Sequence, residues 1–338
     1  MRKNILILLA LCLAFAGCTT KRLYFEPGDE NITKKISYSG SLPDDIIFAN
    51  KQVATLDNGN VISKSGLNKN LKLNKGEILL NEAENKFIVS DVAGAIKVLD
   101  ENGGIILDQN LSAQAIAANI NGNNLAVLSA DNHAYIIKIN SGAVVLDRAF
   151  SQNFALDVRA AAPVFLDYLV VFGTLDGKIA IADLNINRIT QEYVISAQPF
   201  FNNVIELGVH GQNLYGATAT KIVKLAPAGV QTYAADIKDV IFDKDKIYLF
   251  LKDGVVQILD LNFQKINETK LTFAIFLAPT ISDSNIYIVE KTGFLIRMNL
   301  NLNDVKIFEL PDEIDDKIFS DKDNLYTGNK FLKFGDER

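Results

Sequence analysis

The chain repeats one short phrase. A run of three to five β-branched or aromatic residues meets a polar turn, and a second such run follows. It first appears as Val53-Ala54-Thr55-Leu56, turn Asp57-Asn58-Gly59, then Val61-Ile62. It recurs at 87–89 and 96–100 around Gly94, at 125–128 and 135–140 around His133, and at 169–172 and 179–183 around Gly177. Four more copies lie at 214–217 and 222–225 around Thr220, 247–250 and 255–260 around Gly254, 286–289 and 294–299 around Gly293, and 325–327 and 331–334 around Asn329. Asp-Gly and Gly-Asn pairs supply the positive φ that a tight hairpin demands. Successive turns are 34 to 44 residues apart, which leaves room for two more strands between hairpins, such as Val144-Val145-Leu146 and Val305-Lys306-Ile307-Phe308. Four strands in roughly 40 residues is the repeat of a propeller blade. Eight phrases therefore predict an all-β fold, an eight-bladed β-propeller of four-stranded blades. A seven-bladed ring with one irregular repeat and a pair of separate β domains are the alternatives. Helical periodicity is confined to residues 112–118.

The eighth phrase lacks an outer strand, because only four residues follow Phe334. An open ring would expose unpaired sheet edges, so an N-terminal strand is expected to close it. Residues 21–27 and 34–38 both qualify. The second is preferred, which makes 18–33 a tether and 34–338 the propeller. Residues 1–17 look like an address. Arg2 and Lys3 precede an uncharged apolar run at 5–16, shorter than the roughly 20 residues that span a bilayer and suited to a secretory signal. The run ends in Phe15-Ala16-Gly17-Cys18, which resembles a bacterial lipobox. That resemblance implies cleavage before Cys18 and lipidation of Cys18. With Thr19 rather than Asp next, it implies an outer-membrane protein facing the periplasm, held by its lipid anchor. An ordinary signal peptide with an incidental Cys is the alternative. Cys12 leaves with the signal, so the mature chain has no partner thiol for a disulfide.

Composition narrows the function. Lys and Arg number 34 against 40 Asp and Glu, a net charge of −6. That argues against nucleic acid as a partner, since phosphate binding needs a basic face. Two His and two Cys leave few ligands for a metal. No Ser-His-Asp or Cys-His arrangement and no phosphate-binding glycine loop is apparent. The expectation is a non-catalytic protein without catalytic residues, cofactor or metal. Asp57, Asp131, Asp176 and Asp253 read as turn chemistry, His133 and His210 as solvated loop residues, and the acidic run at 312–316 as a solvated face. Arg159, taken alone, reads as a loop cation paired with Asp157.

Segments such as Leu175-Asp176-Gly177-Lys178-Ile179-Ala180-Ile181-Ala182-Asp183 resemble repeats of the pyrroloquinoline-quinone-type propeller superfamily. Its dehydrogenases need a Trp and a vicinal Cys pair, and the chain has no Trp. Within the superfamily, an eight-bladed lipoprotein resembles the BamB family of outer-membrane β-barrel assembly proteins. The likeness is sharpest at Ala155-Leu156-Asp157-Val158-Arg159-Ala160-Ala161-Ala162-Pro163, which follows that family's Leu-x-Leu-Arg-Gly-x-Ser-Ala-Pro pattern. The resemblance implies that Leu156, Val158 and Arg159 contact periplasmic domains of the barrel-assembly subunit. The family pairs this loop with an acidic loop one blade later. The matching stretch here is Phe200-Phe201-Asn202-Asn203, with amides in place of carboxylates, so Phe201, Asn202 and Asn203 complete the expected partner-binding set. The implied role is an accessory scaffold, with unfolded outer-membrane clients added as strands to blade edges. The alternative is a periplasmic ligand- or glycan-binding propeller that uses its central channel.

Overall fold

The computed structural model describes residues 23–151, 159–198, 202–314 and 317–337. Apart from a 3-10 turn at Asp29–Asn31, the regular structure of these residues is all strand. Eight sheets, of four or five strands, occupy residues 46–68, 77–110, 115–149, 164–194, 206–234, 237–270, 276–309 and 318–333. They are numbered here as blades 1 to 8. Apart from the N-terminal strands added to blades 7 and 8, neighbouring strands within each blade are consecutive in the chain and antiparallel, from an inner strand at the axis to an outer strand at the rim. The middle strands are buried, as in Asn124–Ser129 and His133–Lys138, whereas the outer strands Arg188–Val194 and Gly229–Ala234 face solvent. The molecule is an eight-bladed β-propeller.

Alternating apolar residues place one buried row on each side of a blade, and adjacent blades press these rows together. The eight large apolar clusters correspond to the eight blade junctions, including the closing one. There Leu42, Ile46, Ala54, Leu56 and Ile62 meet Phe319 and Tyr326.

All eight predicted turns lie between the second and third strands of a blade. Each also accepts a backbone hydrogen bond from a residue in the segment that follows an outer strand. The pairs are Leu73 N to Gly59 O at 2.9 Å, Leu111 to Gly94 at 2.9 Å, Phe150 to Asn132 at 3.0 Å and Ile195 to Gly177 at 2.8 Å. The remaining four are Ala235 to Thr220 at 3.1 Å, Leu271 to Gly254 at 2.7 Å, Leu310 to Gly293 at 2.8 Å and Leu42 to Asn329 at 2.7 Å. Gly254 (φ +82°) shows why glycine suits the turn: a Cβ there would overlap the Leu271 carbonyl oxygen.

The N-terminus closes the ring, at a different place from the one expected. β1 (Ile32–Lys35) does not complete blade 8. It lies parallel to Lys306–Glu309 as a fifth strand on blade 7, secured by Ile36 N to Glu309 O at 2.9 Å and a Lys35–Glu309 ion pair at 2.8 Å. The outer strand of blade 8 is β2 (Gly40–Ser41), with Gly40 opposite Phe331 and Ser41 opposite Lys330. The reason is packing. Leu42 must occupy the slot that Leu271 and its counterparts fill elsewhere. Gly40 lets the Phe331 ring lie over its Cα, where a Cβ would stand 2.6 Å from that ring. The segment predicted as tether is also partly docked, since Phe25 is buried in the junction of blades 6 and 7. At the other end, the residues after Phe334 form a latch. The buried Glu337 carboxylate accepts from Tyr287 Oη at 3.0 Å and from Arg297 Nη1 at 2.8 Å.

Residues 115–121 are the inner strand of blade 3 instead of a helix. Ala115, Ala117 and Ala118 are buried where blades converge on the axis, and there packing of small side chains outweighs local propensity.

Gly254→Ala should lower the apparent melting temperature well beyond Gly66→Ala. Both positions have positive φ, which costs a side chain about 1–2 kcal/mol, but a Cβ at Gly66 meets open space. Equal losses in a thermal melt would show that the turn-to-connector approach is not tight.

Candidate functional site: the axial channel and the connector face

Consecutive antiparallel strands give the disc two unlike faces. One carries the second-to-third-strand hairpins and the connectors between blades, and is called the connector face here. The opposite face carries the other turns. Inner strands surround the axis, so charged residues on them meet in the channel.

Lys51 spans this channel. It lies in the first turn of blade 1, where Asn50 Oδ1 accepts from Gln52 N at 2.8 Å and Val53 N at 2.9 Å and holds the turn tight. Blade 1 has strands of only 4, 4, 3 and 3 residues, so this turn reaches less far toward the opposite face than those of longer blades. Lys51 Nζ bonds Glu206 Oε2 of blade 5 at 2.5 Å, Asp239 Oδ1 of blade 6 at 2.5 Å and the Val240 carbonyl at 3.1 Å. An irregularity in strand pairing between Ile237 and Asp239 accompanies the turn of Asp239 toward Lys51, and Val240 N donates to its Oδ1 at 2.8 Å. Burial disfavours the Lys51 ammonium, but Asp239 and Glu206 outweigh it and hold its pKa above the ordinary lysine value. A raised folded-state pKa keeps this contribution intact below the ordinary value of 10.5 and removes it only as pH rises further.

Lys64, in the last turn of blade 1, sits nearer the opposite face. Its Nζ donates to the Ser320 carbonyl at 2.6 Å and lies 4.7 Å from the centre of the Phe319 ring. Burial of the amine pushes its pKa down to about 8; Asp321, Glu206 and Asp239 oppose the shift, while Lys51 adds to it. The side chain nonetheless remains open to solvent along one side.

On the connector face, the expected partner loops meet. Asn203 Nδ2 donates to the Arg159 carbonyl at 2.5 Å, joining the connector before blade 4 to the connector before blade 5. The exposed Arg159 guanidinium reaches over the channel mouth and donates to the Lys238 carbonyl of blade 6 at 2.6 Å. Asn203 is fully buried, and its Oδ1 has no hydrogen-bond partner. Asn202 organises its own loop: Oδ1 accepts from Ser196 Oγ at 2.7 Å and Gln198 N at 2.8 Å, and Nδ2 donates to the Gln198 carbonyl. Both amides thus hold loop structure, and among the described members of the set Arg159 is the exposed one. Cys18, Leu156, Asp157, Val158, Phe200 and Phe201 lie outside the described residues.

The turn aspartates behave as turn residues. Asp131 accepts from Ser112 Oγ at 2.6 Å and Ser129 Oγ at 2.5 Å. Asp176 accepts from Thr174 Oγ1 at 2.7 Å and pairs with Lys178 at 3.0 Å. It also accepts from Asn132 Nδ2 at 3.0 Å, which stitches the hairpins of blades 3 and 4 together. His133, expected in a solvated loop, is on a strand, stacked on Tyr135 and 3.1 Å from Asp147. Among the described residues, no group of three or more His, Cys, Asp and Glu is placed to hold a metal. The cleft between residues 70–74 and blade 2 has a volume of 240 Å³, below the roughly 300–1,000 Å³ of small-molecule pockets. The channel ions were missed because Lys51, Glu206 and Asp239 belong to blades 1, 5 and 6. The available signal was the presence of carboxylates in runs expected to be inner strands.

No family model matches the chain. The fold is shared with BamB. The crystal structure of BamB from Moraxella catarrhalis superposes with a TM-score of 0.68 at 16% identity, covering 87% of this chain and 98% of that one. The C-terminal WD40 domain of Sif2 gives 0.66 at 12% identity, covering 89% and 99%. At these identities the likeness is one of architecture. Two curated proteins are similar along the sequence, both plasminogen-binding protein PgbB of Helicobacter pylori. The protein of strain J99 is 28% identical over 391 aligned positions, and that of strain 26695 is 27% identical, each alignment covering 99% of this chain and 72% of the relative.

Two measurements probe the channel. Lys51→Met should lower the urea midpoint by leaving two carboxylates face to face, and the added changes Glu206→Gln and Asp239→Asn should restore most of it. With its pKa lowered to about 8, Lys64 should carry a larger uncharged fraction at pH 8 than an ordinary lysine. Brief acylation followed by peptide mass mapping should therefore modify Lys64 ahead of exposed lysines such as Lys35. Stability relative to Lys64→Met should rise as pH climbs from about 8 toward 10.5, because in that window the unfolded chain binds the extra proton.

Proposed function

We propose that this protein is a non-catalytic, lipid-anchored scaffold of the outer membrane, facing the periplasm, and an accessory subunit of the β-barrel assembly machinery. The observation that carries this reading is the exposed Arg159 at the meeting point of two inter-blade connectors. The surrounding sequence follows the BamB-family pattern, on a ring with BamB's architecture. Arg is well suited to an interface anchor, since a planar five-donor head gives strong, directional contacts. Leu156 and Val158 would supply the apolar part of the contact, with Phe201 on the adjoining connector. The cross-channel bonds of Lys51 suit a part whose work is to hold loops in fixed relation, and no reaction is assigned to it.

A second reading rests on the relatives along the sequence, whose name states that they bind plasminogen. On that reading the same ring presents its surface to plasminogen. A glycan or small ligand in the central channel is less favoured, because it would have to displace Lys51 from Glu206 and Asp239 first.

Affinity purification from detergent-solubilised outer membrane separates the readings. Capture of barrel-assembly subunits supports the first, and saturable plasminogen binding without such capture supports the second. Arg159→Asp should abolish capture of the assembly subunit while lowering the melting temperature by no more than a few degrees, since it removes contacts of an exposed side chain. Capture at wild-type strength would show that the contact lies elsewhere.

A further inference from the structure

The N-terminal arm is docked only a few residues beyond the lipidation site expected from the sequence. Phe25 is 6% exposed and packs among Leu271, Ala274 and Phe276. Its ring meets Phe294 edge to face at 5.5 Å, and Thr292 Oγ1 donates to its carbonyl at 3.3 Å. Thr292 belongs to a hairpin turn and 271–275 to a connector, so the arm is held on the connector face at blades 6 and 7. Cys18 and Phe25 are separated by seven residue steps, a reach of at most about 25 Å even when fully extended. An acylated Cys18 therefore keeps the docking point of Phe25 within that distance of the lipid surface.

The surface beside this docking point is apolar. Leu23 is 62% exposed, Tyr24 55% and Phe273 46%. Leu23 and Tyr24 directly precede the buried Phe25, and Phe273 lies between Leu271 and Ala274, which pack against it. Phe273 also has φ +67° in a turn closed by Ala274 N to Leu271 O at 2.9 Å. Glycine would adopt that conformation without strain. A bulky aromatic held there and turned out to water gains nothing from the ring's own core.

Resting on the lipoprotein reading, we infer that Leu23, Tyr24 and Phe273 form a second, non-covalent contact with the bilayer that holds the acyl chains. This contact sets the edge of the connector face at blades 6 and 7 against the membrane surface. The partner is the apolar–headgroup boundary of the lipid, where aromatic and Leu side chains partition favourably. The net charge of −6 gives no electrostatic attraction to anionic lipid, so the contact should be insensitive to salt. Blade 4, with Arg159 at its entrance, lies about three blades around the ring from this edge.

The absence of Trp from the chain provides a clean probe. Acylated full-length protein carrying Phe273→Trp is bound to phosphatidylcholine vesicles with brominated acyl chains. A second chain carries Tyr168→Trp, at an exposed turn on the opposite face. The fluorescence of Phe273→Trp should shift to shorter wavelength and be quenched at least twofold, unchanged at high salt, while that of Tyr168→Trp is unaffected. Equal quenching of both, or of neither, in protein that floats with the vesicles overturns the inference and leaves the lipid anchor standing. The mass of the N-terminal peptide, with Cys18→Ser as control, reports the anchor independently. A chain without acyl groups on Cys18 overturns both the anchor and this contact.

Discussion

One backbone hydrogen bond, made eight times, organises the ring: a residue in the segment that follows each outer strand donates its N–H to the carbonyl of a hairpin turn. It fixes how far the chain travels before the next blade begins. It also places an apolar residue, mostly Leu or Ile, at the junction between blades. A hydrogen bond of this kind contributes only about 1 kcal/mol net, but its geometry is strict. The turn must present its carbonyl at close range, and in five of the eight turns the residue that does so is a glycine at positive φ. Ring closure obeys the same rule. Leu42 answers to Asn329 as Leu271 does to Gly254, so the N-terminal strand that fits is the one two residues upstream of Leu42.

Closure by a two-strand pairing alone would be weak, and the ends are secured several ways. Apolar packing of Leu42 and Ile46 on Phe319 and Tyr326 seals the last junction. The fifth strand on blade 7 and the burial of Phe25 anchor the chain before it reaches that junction. Glu337, held by Arg297 and Tyr287, fastens the other end; burial and the nearby carboxylate push the Tyr287 hydroxyl's pKa up to about 12, so it remains a donor throughout the neutral range. The ends therefore meet around blades 7 and 8, beside the junction that buries Phe25. Across the middle, Lys51 links blade 1 to blades 5 and 6. A charged strut is a costly way to fill a channel unless its groups are hydrogen-bonded, and here the Lys51 ammonium meets Glu206, Asp239 and the Val240 carbonyl, while Val240 N–H donates to Asp239.

The contrast between the two connector loops is informative. Arg159, Asn202 and Asn203 came from sequence likeness alone, and the fold brings two of them into direct contact across two connectors. Their side chains nevertheless do different things. Asn203 is buried and Asn202 is consumed by Ser196 and Gln198, which leaves the Arg159 head on the surface. An amide that holds a loop and an amide that greets a partner look the same in a sequence, because the choice depends on which donors and acceptors a distant segment supplies.

Hydrophobic alternation and turn chemistry are local properties, and they determined the architecture: eight hairpins, four strands to a blade, and the need for a borrowed strand. Each depends on residues within about ten positions of one another. The strand that closes the ring, the inner strand at 115–121 where 112–118 looked helical, and the buried Phe25 were decided by packing against distant segments. The channel charges go furthest in this direction. Glu206 and Asp239 lie 155 and 188 residues from Lys51 along the chain, and only the circular arrangement of blades brings them to one axis, where the two carboxylates hold the Lys51 ammonium.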